Sequence, residues 1–230
     1  MNWQLISFFG DSTVLLPSAA ALFIVLMLRR TSRLLAWQWS LLFGITGAIV
    51  CASKLAFMGW GLGIRELDYT GFSGHSALSA AFWPIFLWLL SARFSVGLRK
   101  AAFWPIFLWL LSARFSVGLR KAAVITGYVL AAVVGYSRLV IHAHSVSEVI
   151  AGLLLGAAGS ALFLVLQKRT PDPESVNISW GGVACLVMVP LILLHSGSKA
   201  PTQSLLGQIA TAVGPLDKPF TRTDLHKQAW

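Results

Sequence analysis

The chain has 230 residues, of which 57% are hydrophobic and only 11% charged. Soluble domains carry about 25% charged residues, so this composition, with a mean hydropathy of +0.75, excludes a solvated globule and indicates one polytopic membrane domain. The net charge of +10 does not indicate nucleic-acid binding. The basic residues sit in short clusters at the ends of apolar runs, where topology and anionic lipid account for them.

In chain order the apolar runs fall at Thr13–Leu28, Ala36–Ala56, His75–Ala92, Ala122–Ser137, Val146–Leu166 and Ile178–Leu194. Each approaches the ~20 residues that cross a bilayer as helix. The expected fold is all-α, with six transmembrane helices over residues 1–195 and a polar extracytoplasmic tail over 196–230. Met1–Ser12 contains no basic residue and no cleavage pattern, so the first span is expected to remain in place. Cys51 and Cys185 lie inside apolar runs and read as small core residues rather than a disulfide.

Basic clusters follow the first run (Arg29, Arg30, Arg33), the third (Arg93, Arg99, Lys100) and the fifth (Lys168, Arg169). The positive-inside rule places these in the cytoplasm. The two intervening gaps, Lys54–Phe72 and Arg138–Ser145, then share the opposite face with both termini. The tail contains Pro201, Pro215 and Pro219, and its Ser204–Val213 stretch suits a short interfacial helix. Nothing in the tail suggests chemistry.

Residues 80–100 (AAFWPIFLWLLSARFSVGLRK) recur letter for letter at residues 101–121. Perfect identity indicates a duplicated segment rather than a structural repeat. The copied apolar stretch is too short to span unaided. An extra interfacial or re-entrant helix is therefore expected, with the later topology preserved.

Ionisable groups near membrane spans are functional candidates by default, and here they gather on one face. Ser73-Gly74-His75 opens the third run, where free backbone N–H groups favour an anion and glycine permits close approach. Arg138 offers a planar fork matching phosphate oxygens, and Lys54 adds a point charge. His75 and His144 can divide phosphoryl transfer between a nucleophile and a general acid. Glu148, four residues after His144, can hold its imidazole tautomer. Blander readings exist: Lys54 as a snorkelling lysine, Arg65 as a solvated loop charge, and His142 facing elsewhere. A sharper rival is a zinc site using His75, His142, His144 and Glu148. The G-x-x-x-G of Gly152 and Gly156 is accounted for by tight helix packing.

Ser73-Gly74-His75, followed by Ser137-Arg138, five residues, His144, three residues and Glu148, resembles the type 2 phosphatidic acid phosphatase superfamily. These are membrane lipid phosphatases related to vanadium haloperoxidases, with motifs K-x6-R-P, P-S-G-H and S-R-x5-H-x3-D. The resemblance implies that His144 attacks phosphorus and forms a phosphohistidine, while His75 protonates the leaving oxygen. Lys54, Ser73, Gly74 and Arg138 would hold the phosphate oxygens, and Glu148 would orient His144. It further implies no metal and no cofactor, a lipid phosphate or diphosphate substrate in the bilayer, and a bacterial inner membrane with the site facing the periplasm. Transfer to a second lipid would make the protein a phosphotransferase. Three departures stand out: Gly61-Leu62 occupies the place of Arg-Pro in the first motif, Phe72 replaces proline, and Glu148 replaces aspartate. The incomplete first motif and the duplication support an alternative, a non-catalytic membrane protein that binds lipid phosphate.

Overall fold

The computed structural model describes residues 2–101, 106–168, 178–196 and 202–227. Within them the chain is helical: α1 (Trp3–Phe8), α2 (Ser12–Met27), α3 (Arg33–Trp60), α4 (Gly74–Ala101), α5 (Ile106–Val140), α6 (Val146–Lys168), α7 (Trp180–Ser196), α8 (Thr202–Val213) and α9 (Arg222–Lys227). The β pairing among the described residues amounts to one isolated bridge between Ile64 and Tyr69. Every apolar run of the sequence is a helix. Among the described residues, four stretches are by length and composition long and apolar enough to cross a membrane: Trp3–Met27, Arg30–Trp60, Val117–Val140 and Val146–Lys168. The apolar part of α7, Trp180–Leu193, is shorter.

Local chemistry sets the helix ends. Asp11 Oδ1 accepts from the Thr13 N–H at 2.9 Å and caps α2. Gly61, at φ +70, ends α3 in the left-handed conformation that glycine adopts without penalty. Ser145 and Glu148 form a reciprocal capping box at the start of α6. The Ser145 N–H donates to Glu148 Oε2 at 3.2 Å, and the Glu148 N–H donates to Ser145 Oγ at 3.4 Å.

The central element is α4, which packs on α2, α3, α5 and α6. Trp39 and Phe43 of α3 meet Phe82 of α4, which in turn stacks on Phe86 at 5.1 Å between ring centroids. Glycines bring the helix backbones together. A Cβ on Gly152 would lie 2.7 Å from the Ser73 carbonyl oxygen, and one on Gly156 would overlap the Ala77 carbonyl. The G-x-x-x-G pattern is thus a packing surface against α4. Gly127 of α5 faces the Pro84 backbone of α4, leaving room at a residue that interrupts the helical hydrogen bonds.

The duplicated segment does not form a separate interfacial helix among the described residues. Its first copy, residues 80–100, lies within α4, and its second, from Ile106, runs unbroken into the 35-residue α5. Gly127 opposes Pro84 and Gly135 opposes Ser76, so the copies lie on the two arms of one antiparallel hairpin. The physical reason is that both copies are helix-forming sequence, so each extends an existing helix. At 1.5 Å per residue α5 extends about 52 Å, against ~30 Å of bilayer hydrocarbon. Residues 102–105, between the arms, fall outside the described residues.

Cys51 and Cys185 depart from the expected core placement. Both are free and exposed on outward helix faces.

Candidate active site

The loop after α3 folds back over Lys54. Gly71 has φ +124, and a Cβ there would approach Ser53 Oγ at 3.2 Å and Lys54 Cγ at 3.4 Å. A side chain at this position would meet both backbone strain and crowding. The Phe72 N–H donates to Ser53 Oγ at 3.2 Å. One residue on, the Ser73 N–H donates to the Glu148 carbonyl at 3.1 Å, joining the entrance of α4 to the first turn of α6. The two gaps assigned to one face, Lys54–Phe72 and Arg138–Ser145, therefore meet at one end of the helix bundle.

At their junction lies a cavity of about 370 Å³, lined by Lys54, Thr70, Arg138 and His144 and, from the tail, by Gln203 and Arg222. His144 Nδ1 is 2.6 Å from Glu148 Oε2. This contact commits one ring nitrogen to the carboxylate and leaves Nε2 as the atom available for chemistry. Burial is the largest influence on His144 and lowers its pKa; Glu148 opposes this, while Lys54 and Arg138 add to it. Arg138 Nη1 donates to Ser7 Oγ at 2.7 Å, and Lys54 Nζ is 3.5 Å from Gln203 Oε1.

Lys54, Arg138 and His144 therefore share a cavity, and Glu148, with no solvent exposure, stands directly behind His144. Ser73, Gly74 and His75 stand at the entrance of α4 and are not among the cavity-lining residues. The Ser73 hydroxyl is buried and accepts from Ser76 Oγ at 3.0 Å. His75 Nε2 is 3.4 Å from Asp11 Oδ2. His142 adopts φ +53 in the turn after α5 and does not line the cavity. Among the described residues no three His, Cys, Asp or Glu side chains converge, so the set weighed for zinc is not assembled. Arg65 lies on the short turn Arg65–Leu67, away from the cavity lining.

The tail changes the picture most. Arg222 of α9 reaches Glu148 Oε1 at 2.8 Å and Asp68 Oδ2 at 2.7 Å. A segment read as chemically empty therefore supplies a cation to the site. Asp11, Ser7 and Asp68 carry no sequence signal of their roles, since each acts through a partner distant in sequence. Only the S-x-x-E spacing of Ser145 and Glu148 was available as a local signal that Glu148 faces the first turn of its helix.

A family model described as "PAP2 superfamily" matches residues 59–171. The chain belongs to the PAP2 superfamily. The PAP2 match contains His75, Arg138, His144 and Glu148, and excludes Lys54, Asp11 and Arg222. The chain is also similar to a Klebsiella pneumoniae protein described as "Uncharacterized 22.5 kDa protein in cps region". The two are 90% identical over 230 residues, covering 100% of both chains. No solved structure matches. Its PAP2 membership and its apolar helices make this a membrane protein of a superfamily whose members are generally phosphatases.

Proposed function

We propose that this PAP2 protein is a metal-independent phosphatase of lipid phosphates or diphosphates. The lipid tail lies among the helices, and the head group is recognised by charge. The observation that carries the reading is the convergence of Lys54 and Arg138 on the cavity that holds His144, with His144 Nδ1 fixed by Glu148. Two cations beside a buried imidazole suit an anion more than a neutral substrate.

In the reaction, His144 Nε2 attacks phosphorus as the bond from phosphorus to the lipid-side oxygen breaks. His75, paired with Asp11, gives its proton to that leaving oxygen. Water then attacks the phosphohistidine, its proton passing to His75, and inorganic phosphate leaves. Lys54 and Arg138 balance the charge that gathers on the phosphoryl oxygens. The first-turn N–H groups of α4 at Gly74 and His75 add donors, with the Ser73 hydroxyl beside them. Glu148 keeps the imidazole in the reactive tautomer.

Six crossings are proposed: α2, extended by α1, and then α3 to α7. The clusters at Arg29–Arg33, Arg93–Lys100 and Lys168 face the cytoplasm, and the cavity faces the periplasm of a bacterial inner membrane. Charge bias supports this orientation, as does the bacterial origin of the relative. The test is inorganic phosphate release from a panel of lipid phosphates in detergent with excess EDTA, using this chain and His144→Ala. Release that disappears in the variant supports the reading. No release from either protein contradicts it and favours a lipid-phosphate binder.

A further inference from the structure

We propose, building on the phosphatase reading above, that Arg222 is a positioning residue of the active site. The C-terminal segment returns to the cavity so that its guanidinium, clamped on Asp68 and Glu148, holds the carboxylate that orients His144.

Glu148 is the most heavily engaged side chain in the site. Its Oε2 meets His144 Nδ1 at 2.6 Å and the Ser145 N–H at 3.2 Å. Its Oε1 accepts from the Thr70 N–H at 2.9 Å, from the Thr70 hydroxyl, and from Arg222 Nη2 at 2.8 Å. A carboxylate with no solvent exposure requires such compensation to remain charged. Histidine is charged only when protonated, and burial disfavours that form of His144. Arg222 is then the permanently charged group in ion-pair contact with Glu148 among the described residues.

The placement of Arg222 is built rather than incidental. The Phe220 N–H donates to the Met58 carbonyl at 2.8 Å, and the Phe220 ring meets Phe57 edge-on at 5.5 Å. Asp224 Oδ2 accepts from the Thr221 N–H at 3.0 Å, fixing the turn that presents Arg222. Asp68, in left-handed backbone at φ +47, takes Arg222 Nη1 on one oxygen and faces His226 Nε2 at 2.9 Å on the other. The fork thus ties α9 both to the loop that carries Thr70 and to the nucleophile's carboxylate. Both terminal nitrogens of Arg222 are committed to carboxylates, which assigns it to positioning rather than to holding phosphate.

The charged groups that act on His144 are Lys54 on α3, His75 on α4, Arg138 on α5 and Glu148 on α6, with Arg222 on α9 reaching it through Glu148. Removing the Arg222 charge leaves Glu148 less neutralised, which favours protonated His144. The test compares the full chain with Arg222→Gln and Arg222→Lys. Arg222→Gln is expected to lower kcat by about 10- to 100-fold with KM changed by less than about threefold. It should also move the acid limb of the pH profile upward. Arg222→Lys should recover only part of the rate, because lysine keeps the charge and loses the fork. A purely structural role would lower yield or Tm and leave kcat and the acid limb of the folded protein in place, overturning the proposal. A raised KM with unchanged kcat would overturn it too, making Arg222 a substrate ligand.

A second readout does not depend on turnover. In 13C-histidine-labelled protein, with the resonance assigned through His144→Ala, the His144 titration midpoint should rise in Arg222→Gln. An unchanged midpoint refutes the positioning role even where no substrate is cleaved. Absence of phosphate release from the unmodified chain bears instead on the phosphatase reading.

Discussion

Glu148 Oε2 stands 2.6 Å from His144 Nδ1 while the same oxygen accepts the Ser145 N–H at 3.2 Å. One carboxylate thus closes a helix cap and orients a histidine. Its extra methylene relative to aspartate has a structural use here, because Oε1 must also reach the Thr70 loop. Glu148→Gln should lower kcat by about 100-fold or more, by the logic of losing the acidic member of a triad. Glu148→Asp, which cannot span both contacts, should lose about tenfold. Steady-state phosphate release from detergent-solubilised protein checks both values.

The acid limb of activity follows from His144. Only its neutral imidazole can attack phosphorus, so activity rises with pH through the pKa of this group. Burial first, reinforced by Lys54 and Arg138, lowers that pKa despite the opposing pull of Glu148. The acid limb of kcat/KM, which reports the free enzyme, should therefore lie below about 6.5, the ordinary histidine value. A limb at or above that value would remove His144 as the titrating nucleophile.

Helix packing gives a stability prediction. Gly156 has no room for a Cβ beside the Ala77 carbonyl, whereas Gly118 faces open space. Gly156→Ala should destabilise the protein by about 1–3 kcal/mol through overpacking, and Gly118→Ala should not. Thermal unfolding in detergent separates them, and equal Tm values for the two variants would contradict the observed α4–α6 contact.

The duplicated segment yields a fourth prediction. Because its copies lie on opposite arms of the α4–α5 hairpin, deleting residues 101–121 should shorten the hairpin without changing the number of crossings. His75 and Arg138 lie at the other end of these helices. Phosphate release should therefore stay within about threefold of the full chain, since the geometry that sets the rate is kept. Complete loss on deletion would mean that the longer arms hold the site together.

The helices and half of the site were legible in the sequence because their signals are local. Apolar runs mark helices by hydropathy, and Arg138, His144 and Glu148 fall within one turn and one helix start. Lys54 and His75 joined them through charge counting, which brings the two gaps to one face. The hairpin was not legible, because an apolar length alone does not say whether it forms a new helix or extends two existing ones. Arg222, Asp11 and Ser7 were illegible for a different reason. Each completes a contact formed only in the folded chain, and a lone arginine in a proline-containing tail carries no periodicity or spacing that marks its partner. The Gly61-Leu62 departure in the first motif does not point to α9 either, because Arg222 pairs with the carboxylates of Asp68 and Glu148.

The most direct test of the account is the covalent intermediate. The full chain is mixed with a 32P-labelled lipid phosphate, quenched within the first turnovers, and mapped for label. Label on His144 that is acid-labile and base-stable, absent in His144→Ala, is the predicted result. Phosphate release without label on His144, or label that persists in His144→Ala, would contradict the assignment of this residue as the nucleophile.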